Sequence, residues 1–117
     1  MSGKYQVLLY EDERGRSQVK EWLIRLEKSN PKARQQARRL MERLRLEGTD
    51  LKSPIAKRIK GKGKIWELRH HSGLRLYYWQ DDDNTFIIAA GELKQRDKAD
   101  PGLIEYAMRA FEEWRST

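Results

Sequence analysis

The sequence predicts an α+β fold in which a small antiparallel sheet is covered by helices. Three observations carry this. Two stretches with helical apolar spacing lie between residues 17 and 48, short strand-like segments run from residue 55 to residue 90, and Asp100-Pro101 opens a further amphipathic helix. Strands gathered after a helical hairpin and followed by a helix give α+β rather than alternating order.

The elements follow in turn. Tyr5 to Tyr10 reads as a first strand, closed by the polar run Glu11-Asp12-Glu13-Arg14-Gly15. Ser17 is placed to cap a helix whose Val19, Trp22, Leu23 and Leu26 share one face. Asn30-Pro31 pairs an N-cap with proline at the first helical position, and Ala33, Ala37, Leu40, Met41 and Leu44 form a second stripe ending near Gly48. The two helices form a hairpin. The other side of the second helix carries Lys32, Arg34, Arg38, Arg39, Arg43 and Arg45, interrupted by Glu42 and Glu47. It reads either as a stripe that binds a nucleic-acid backbone or as a solvated basic face.

From Ile55 the period changes to that of strands. Ile55 to Ile59 is a strand, and Lys60-Gly61-Lys62-Gly63-Lys64 is a basic turn without the glycine spacing or Lys-Ser/Thr end of a P-loop. Asp81-Asp82-Asp83-Asn84 lacks EF-hand spacing and reads as a turn before the apolar strand Thr85 to Ala90. The last helix bears Leu103, Ile104, Ala107, Met108, Phe111 and Trp114. With no internal repeat and no long linker, residues 1–117 are expected to form one domain.

The centre of the chain is a hairpin, Ile65-Trp66-Glu67-Leu68-Arg69 and Leu74 to Trp79, joined by His70-His71-Ser72-Gly73. A short loop centred on Ser72 pairs Arg69 with Arg75, Glu67 with Tyr77 and Ile65 with Trp79. Alternation then sends Trp66, Leu68, Leu74, Leu76 and Tyr78 to a core face. Like charges directly opposite each other are destabilising, so the two arginines call for a shared anion or an offset from Glu67. The alternative is a solvated outer sheet face, which Ile65, Tyr77 and Trp79 on the same side weaken.

The formal charge of +7 and pI of 9.8 point to a polyanionic or an acidic protein partner. The chain has no cysteine, which excludes disulfides, thiolate metal sites and cysteine nucleophiles. No apolar stretch approaches a membrane span and no signal-type core follows Met1-Ser2-Gly3-Lys4, so a cytoplasmic location is expected.

On this polar face Arg69 and Arg75 could hold a phosphate, joined by Lys94 and Arg96 from the basic segment after Gly91. Glu67 is the candidate to accept a proton from a ribose 2′-hydroxyl, which then attacks the adjacent phosphorus without a metal. Lys60, Lys62, Lys64 and Lys98 are candidate RNA contacts, and Tyr77, with Trp79 beside it, is a candidate to stack on bases. His70 and His71 are either the acid for the leaving oxygen or plain turn residues, and adjacent histidines without a carboxylate set make a weak metal site. No metal or cofactor is expected.

These residues resemble a family. Trp66-Glu67-Leu68-Arg69, Gly73-Leu74-Arg75-Leu76-Tyr77-Tyr78, the apolar strand ending at Gly91, Lys94 to Lys98, and Pro101 before the helix containing Ala107 are similar to the RelE/HigB-like toxins of type II toxin–antitoxin modules, on the phage-derived, HigB-like branch. The resemblance spans nearly the whole chain. It implies ribosome-dependent endonuclease cleavage of mRNA, growth inhibition, and neutralisation by an antitoxin of helix-turn-helix type. By position it implies that Arg75 stabilises the phosphate, that Arg69 and Glu67 are the polar positions of the preceding strand, and that Lys94 and Arg96 are a basic pair after the last strand. Glu92-Leu93 stands where a Gly-Phe pair is common, and Tyr106 has no motif around it.

Two other classes compete with the nuclease. A non-catalytic member of the fold would bind RNA, its antitoxin alone, or DNA gyrase as the ParE branch does. An architectural basic phage protein would bind through Arg38 and Arg39. Clustering of Glu67, Arg69, Arg75 and Lys94 favours the enzyme, and dispersal favours binding.

Overall fold

A computed structural model describes residues 5–94 and 99–117. Strand β1 (Gln6–Leu9) is followed by helices α1 (Gln18–Ser29) and α2 (Pro31–Glu47), a 3-10 turn at Gly48–Asp50, strands β2 (Ala56–Arg58), β3 (Trp66–Arg69), β4 (Leu74–Asp82) and β5 (Thr85–Leu93), and helix α3 (Pro101–Arg115). The fold is α+β, as expected. The helix starts are capped as the sequence indicates: Ser17 Oγ accepts the Lys20 N–H at 3.2 Å, Asn30 Oδ1 accepts that of Ala33 at 3.1 Å, and Asp100 Oδ1 accepts that of Gly102 at 2.8 Å. No described helix is long and apolar enough to cross a membrane.

The sheet order is β1-β5-β4-β3-β2. Strands β2 to β5 form the expected antiparallel meander, whereas β1 runs parallel to β5, so the sheet is mixed. A parallel neighbour needs a long crossover, which the helical hairpin and the meander supply.

Both sheet faces are covered. Val19, Trp22 and Leu26 of α1 and Leu40 and Leu44 of α2 pack on Leu68, Leu74, Leu76, Tyr78 and Ile88. On the other face Ile104, Ala107 and Ala110 of α3 pack on Ile65, Tyr77, Trp79 and Ile87. Burying a side chain the size of Ile104, Ile65 or Ile87 contributes about 1.5–3 kcal/mol, and the small Ala107 and Ala110 let α3 approach the sheet. Two hydrogen bonds fix its C-terminal half: Tyr10 Oη donates to Glu113 Oε2 at 2.9 Å and Trp114 Nε1 donates to Asp81 Oδ1 at 2.8 Å.

One irregularity sets the polar face. Tyr77 pairs with Ala90 but Tyr78 pairs with Ile88, leaving Ala89 as an extra residue in β5. A one-residue slip exchanges the faces of everything beyond it. Ile87 and Ala90 therefore share the α3 side, Gly91 turns toward α1, and Glu92 arrives opposite Arg75. Glycine is required at residue 91, where an added Cβ would sit 2.3 Å from the Trp22 ring.

Candidate functional site

The hairpin adopts the expected register: Arg69 lies opposite Arg75, Glu67 opposite Tyr77 and Leu68 opposite Leu76. The offset to the facing arginines is Glu67. Its Oε1 lies 3.1 Å from Arg69 Nη2 and its Oε2 lies 3.5 Å from Arg75 Nη1, so one carboxylate bridges both guanidinium groups. Arg75 is 3% exposed and Glu67 5%, whereas the Arg69 side chain keeps 41% of its surface. The polar face is therefore neither an open phosphate pocket nor a solvated surface, but a covered ion-pair cluster with Arg69 at its rim.

Glu92 extends the cluster on the other side of Arg75. Its Oε2 accepts the Tyr77 hydroxyl at 2.5 Å and the Asp100 N–H at 2.9 Å, and its Oε1 lies 3.7 Å from Lys94 Nζ. Lys94 Nζ is also 3.8 Å from Asp100 Oδ2. Three cations, Arg69, Arg75 and Lys94, thus face three carboxylates, Glu67, Glu92 and Asp100. Charges taken out of water need such matching, because desolvation of an unpaired ion costs several kcal/mol.

The backbone brings Lys94 to this place through Gly73. Gly73 turns the hairpin at φ 99°, and its carbonyl accepts the Lys94 N–H at 3.0 Å. A Cβ on Gly73 would lie 1.5 Å from the Lys94 carbonyl oxygen, so only glycine permits the hairpin turn and the end of β5 to meet.

Tyr77 requires a correction. It shares the arginine face, as alternation demands, yet α3 covers that face here and Tyr77 is fully buried together with Trp79. Neither ring can stack on a base. Burial and the hydrogen bond to Glu92 push the Tyr77 hydroxyl pKa far above its ordinary value.

A family model described as phage-derived protein Gp49-like (DUF891) matches residues 24–112, about three quarters of the chain. The chain belongs to the Gp49-like family. In this Gp49-like chain the matched span holds the hairpin, the bulged strand and all of Glu67, Arg69, Arg75, Glu92, Lys94 and Asp100. A comparison with curated proteins finds no match.

The remaining expected contacts of the Gp49-like chain are dispersed. Lys60, Lys62 and Lys64 lie in the turn between β2 and β3, beyond the end of β3 opposite Arg69, and β3 alone spans about 10 Å at the usual strand rise. Lys62 pairs with Glu105 of α3 at 3.3 Å, and Lys64 shares a groove with Asp81, Asp82 and Asp83. Arg96 and Lys98 lie outside the described residues. His70 and His71 stack at the hairpin turn with ring centroids 4.2 Å apart, and the His70 pKa is held below its ordinary value by burial and by the neighbouring ring.

Sequence reasoning missed Glu92 and Asp100 as members of the cluster. The signal for Glu92 was its place two residues before Lys94, but its face depends on the bulge. Asp100 was read as a helix start, which it is, and its backbone N–H serves Glu92 as well.

Proposed function

We propose that the chain is the toxin of a toxin–antitoxin module and cleaves mRNA on the ribosome without a metal ion. Membership of the phage-derived Gp49-like family supports the toxin class. The position of the Glu67 carboxylate between Arg69 and Arg75 carries the chemistry. Glu67 takes the proton of a ribose 2′-hydroxyl, the 2′-oxygen bonds to the adjacent phosphorus, and the bond from phosphorus to the 5′-oxygen breaks. The rim cations Arg69 and Lys94 offset charge on the phosphoryl oxygens. Arg75, beneath Glu67, is a positioning residue that aims the carboxylate. His70 and His71 follow Arg69 and are the candidates for protonating the leaving oxygen.

The test is induced expression with mapping of new mRNA 5′ ends, for the wild type, Glu67→Gln and Arg69→Ala. Growth arrest with cuts inside translated regions, lost in both folded variants, is the expected result. Arg69→Ala guards against a folding artefact because its side chain is partly exposed. Growth arrest with intact mRNA overturns the reading. Co-expression of a small helix-turn-helix protein encoded beside this chain should restore growth and co-purify with it.

The burial of Glu67 and Arg75 favours a second reading, in which the fold acts by binding alone. Its target is then RNA, DNA gyrase or only the antitoxin. Inhibition of gyrase supercoiling by the purified chain, with mRNA left intact, would identify that outcome.

A further inference from the structure

We propose that the cleft between α2 and the hairpin turn, which meets the ion-pair cluster at Arg69 and shares His70 and His71 with the proposed catalytic face, binds the backbone of a single-stranded nucleic acid whether or not the chain cuts RNA. The cleft has a volume of about 640 Å³, within the roughly 300–1,000 Å³ of ligand sites. Lys32, Arg39, Arg43 and Arg69 line it, and among the described residues no carboxylate does. Arg69 already meets Glu67 and Arg43 meets Glu47, so the contrast with the sheet face rests on Lys32 and Arg39.

Helix geometry explains why the cations converge. At about 100° per residue, Lys32, Arg39 and Arg43 fall within about 40° of one another on one shoulder of the buried stripe of α2, while Arg34, Arg38 and Arg45 fall on the other. The basic helix is thus two surfaces divided by Ala33, Ala37, Leu40 and Leu44. Arg45 is engaged by Glu42, and Arg43 holds Glu47 at 2.8 Å outside the cleft. Lys32 and Arg39 are exposed and form no ion pair with a described carboxylate.

The rest of the lining suits a base rather than a bare anion. Leu40, Pro54 and Ile55 give apolar surface, and the stacked rings of His70 and His71 stand beside Arg69. The turn is tied to α2 by Ser72 Oγ, which donates to Gln36 Oε1 at 3.3 Å, while the Ser72 N–H donates to His70 Nδ1 at 3.1 Å. Cations spaced along a groove with rings at one end are the pattern by which single strands are held, the phosphates on the cations and a base on the ring face. A duplex keeps its bases inside and would use only the cations.

The test is fluorescence anisotropy of a labelled 2′-O-methyl oligouridylate, which has no free 2′-hydroxyl to be cut. Replacing both Lys32 and Arg39 by alanine should weaken binding about tenfold and reduce the slope of log affinity against log salt by about 1.4, two phosphate contacts. Replacing Arg34 and Arg38 by alanine removes the same charge from the other shoulder and should change affinity less than about twofold. His71→Ala should weaken the single strand about fivefold and leave a matched duplex unaffected. Equal losses from the two charge pairs, no loss from the cleft pair, or cleft-dependent binding of a polyglutamate peptide without binding of the oligouridylate would each overturn the proposal. The probe cannot be cut and the readout is binding alone, so a failure here is separable from a failure of cleavage.

Discussion

Arg75 Nη1 lies 3.5 Å from Glu67 Oε2, and both side chains are almost wholly withdrawn from solvent. The arginine expected to meet a phosphate directly instead sits beneath a carboxylate, with Arg69 on one flank and Glu92 on the other. Chemistry at this face would therefore pass through Glu67 and the rim cations, with Arg75 setting their geometry.

Removing one partner of a buried ion pair leaves the other charge uncompensated. Arg75→Ala should destabilise the fold by about 3–5 kcal/mol. Urea denaturation measures this directly, and a loss below about 1 kcal/mol would show that the pair is not effectively buried.

Gly73→Ala should cost at least about 3 kcal/mol, since it combines left-handed strain with a collision against the Lys94 carbonyl. Gly63→Ala is the control. Residue 63 also has positive φ, at 62°, but nothing stands within 4 Å of an added Cβ, so the cost should be about 1 kcal/mol of backbone strain alone. Equal thermal shifts in the two variants would refute the close approach of hairpin turn and β5.

Acid should weaken the fold through His70. Its pKa is lowered below 6.5, so as pH falls past that value the unfolded chain binds the proton first and stability drops. The contribution is complete above pH 6.5 and is lost as pH falls through the folded pKa. Comparing urea midpoints at pH 8 and pH 5 for the wild type and His70→Asn checks this, with the variant expected to show the shallower change.

Alkali should act through tyrosine. The Tyr10, Tyr77 and Tyr78 hydroxyls are all raised above their usual value of 10.0 by burial, and those of Tyr10 and Tyr77 also by a neighbouring glutamate. Above pH 10 the unfolded chain has released protons that the folded chain retains, so stability present below pH 10 is lost as pH rises. Ultraviolet titration should show these three ionising only together with unfolding. Free titration of all five tyrosines near pH 10 would contradict their burial.

Much of the secondary structure was legible because local chemistry enforces it. Ser17, Asn30 and Asp100 start helices through their own side chains, and the spacing of Val19, Trp22, Leu23 and Leu26 needed only the helical period. The facing of Arg69 and Arg75 followed from strand alternation and a turn that accepts glycine. Those are relationships between residues close in the chain.

What only the tertiary structure decided depends on distant elements. The parallel seat of β1, the burial of Tyr77 and Trp79 under α3, and the meeting of one basic shoulder of α2 with the hairpin turn all arise from packing between segments far apart in sequence. The bulge at Ala89 is the sharpest case. Nothing in the run Thr85 to Leu93 marks where alternation slips, because every residue from Phe86 to Ala90 is apolar and accepted by either core. Pairing with β4 chose the slip, and that choice put Glu92 on the face of Arg75. By itself the sequence determined which residues form each element and that the hairpin carries opposed arginines. The packing of α3 and the register of β5 decided that Arg75 is buried between Glu67 and Glu92, while Arg69 stays at the rim.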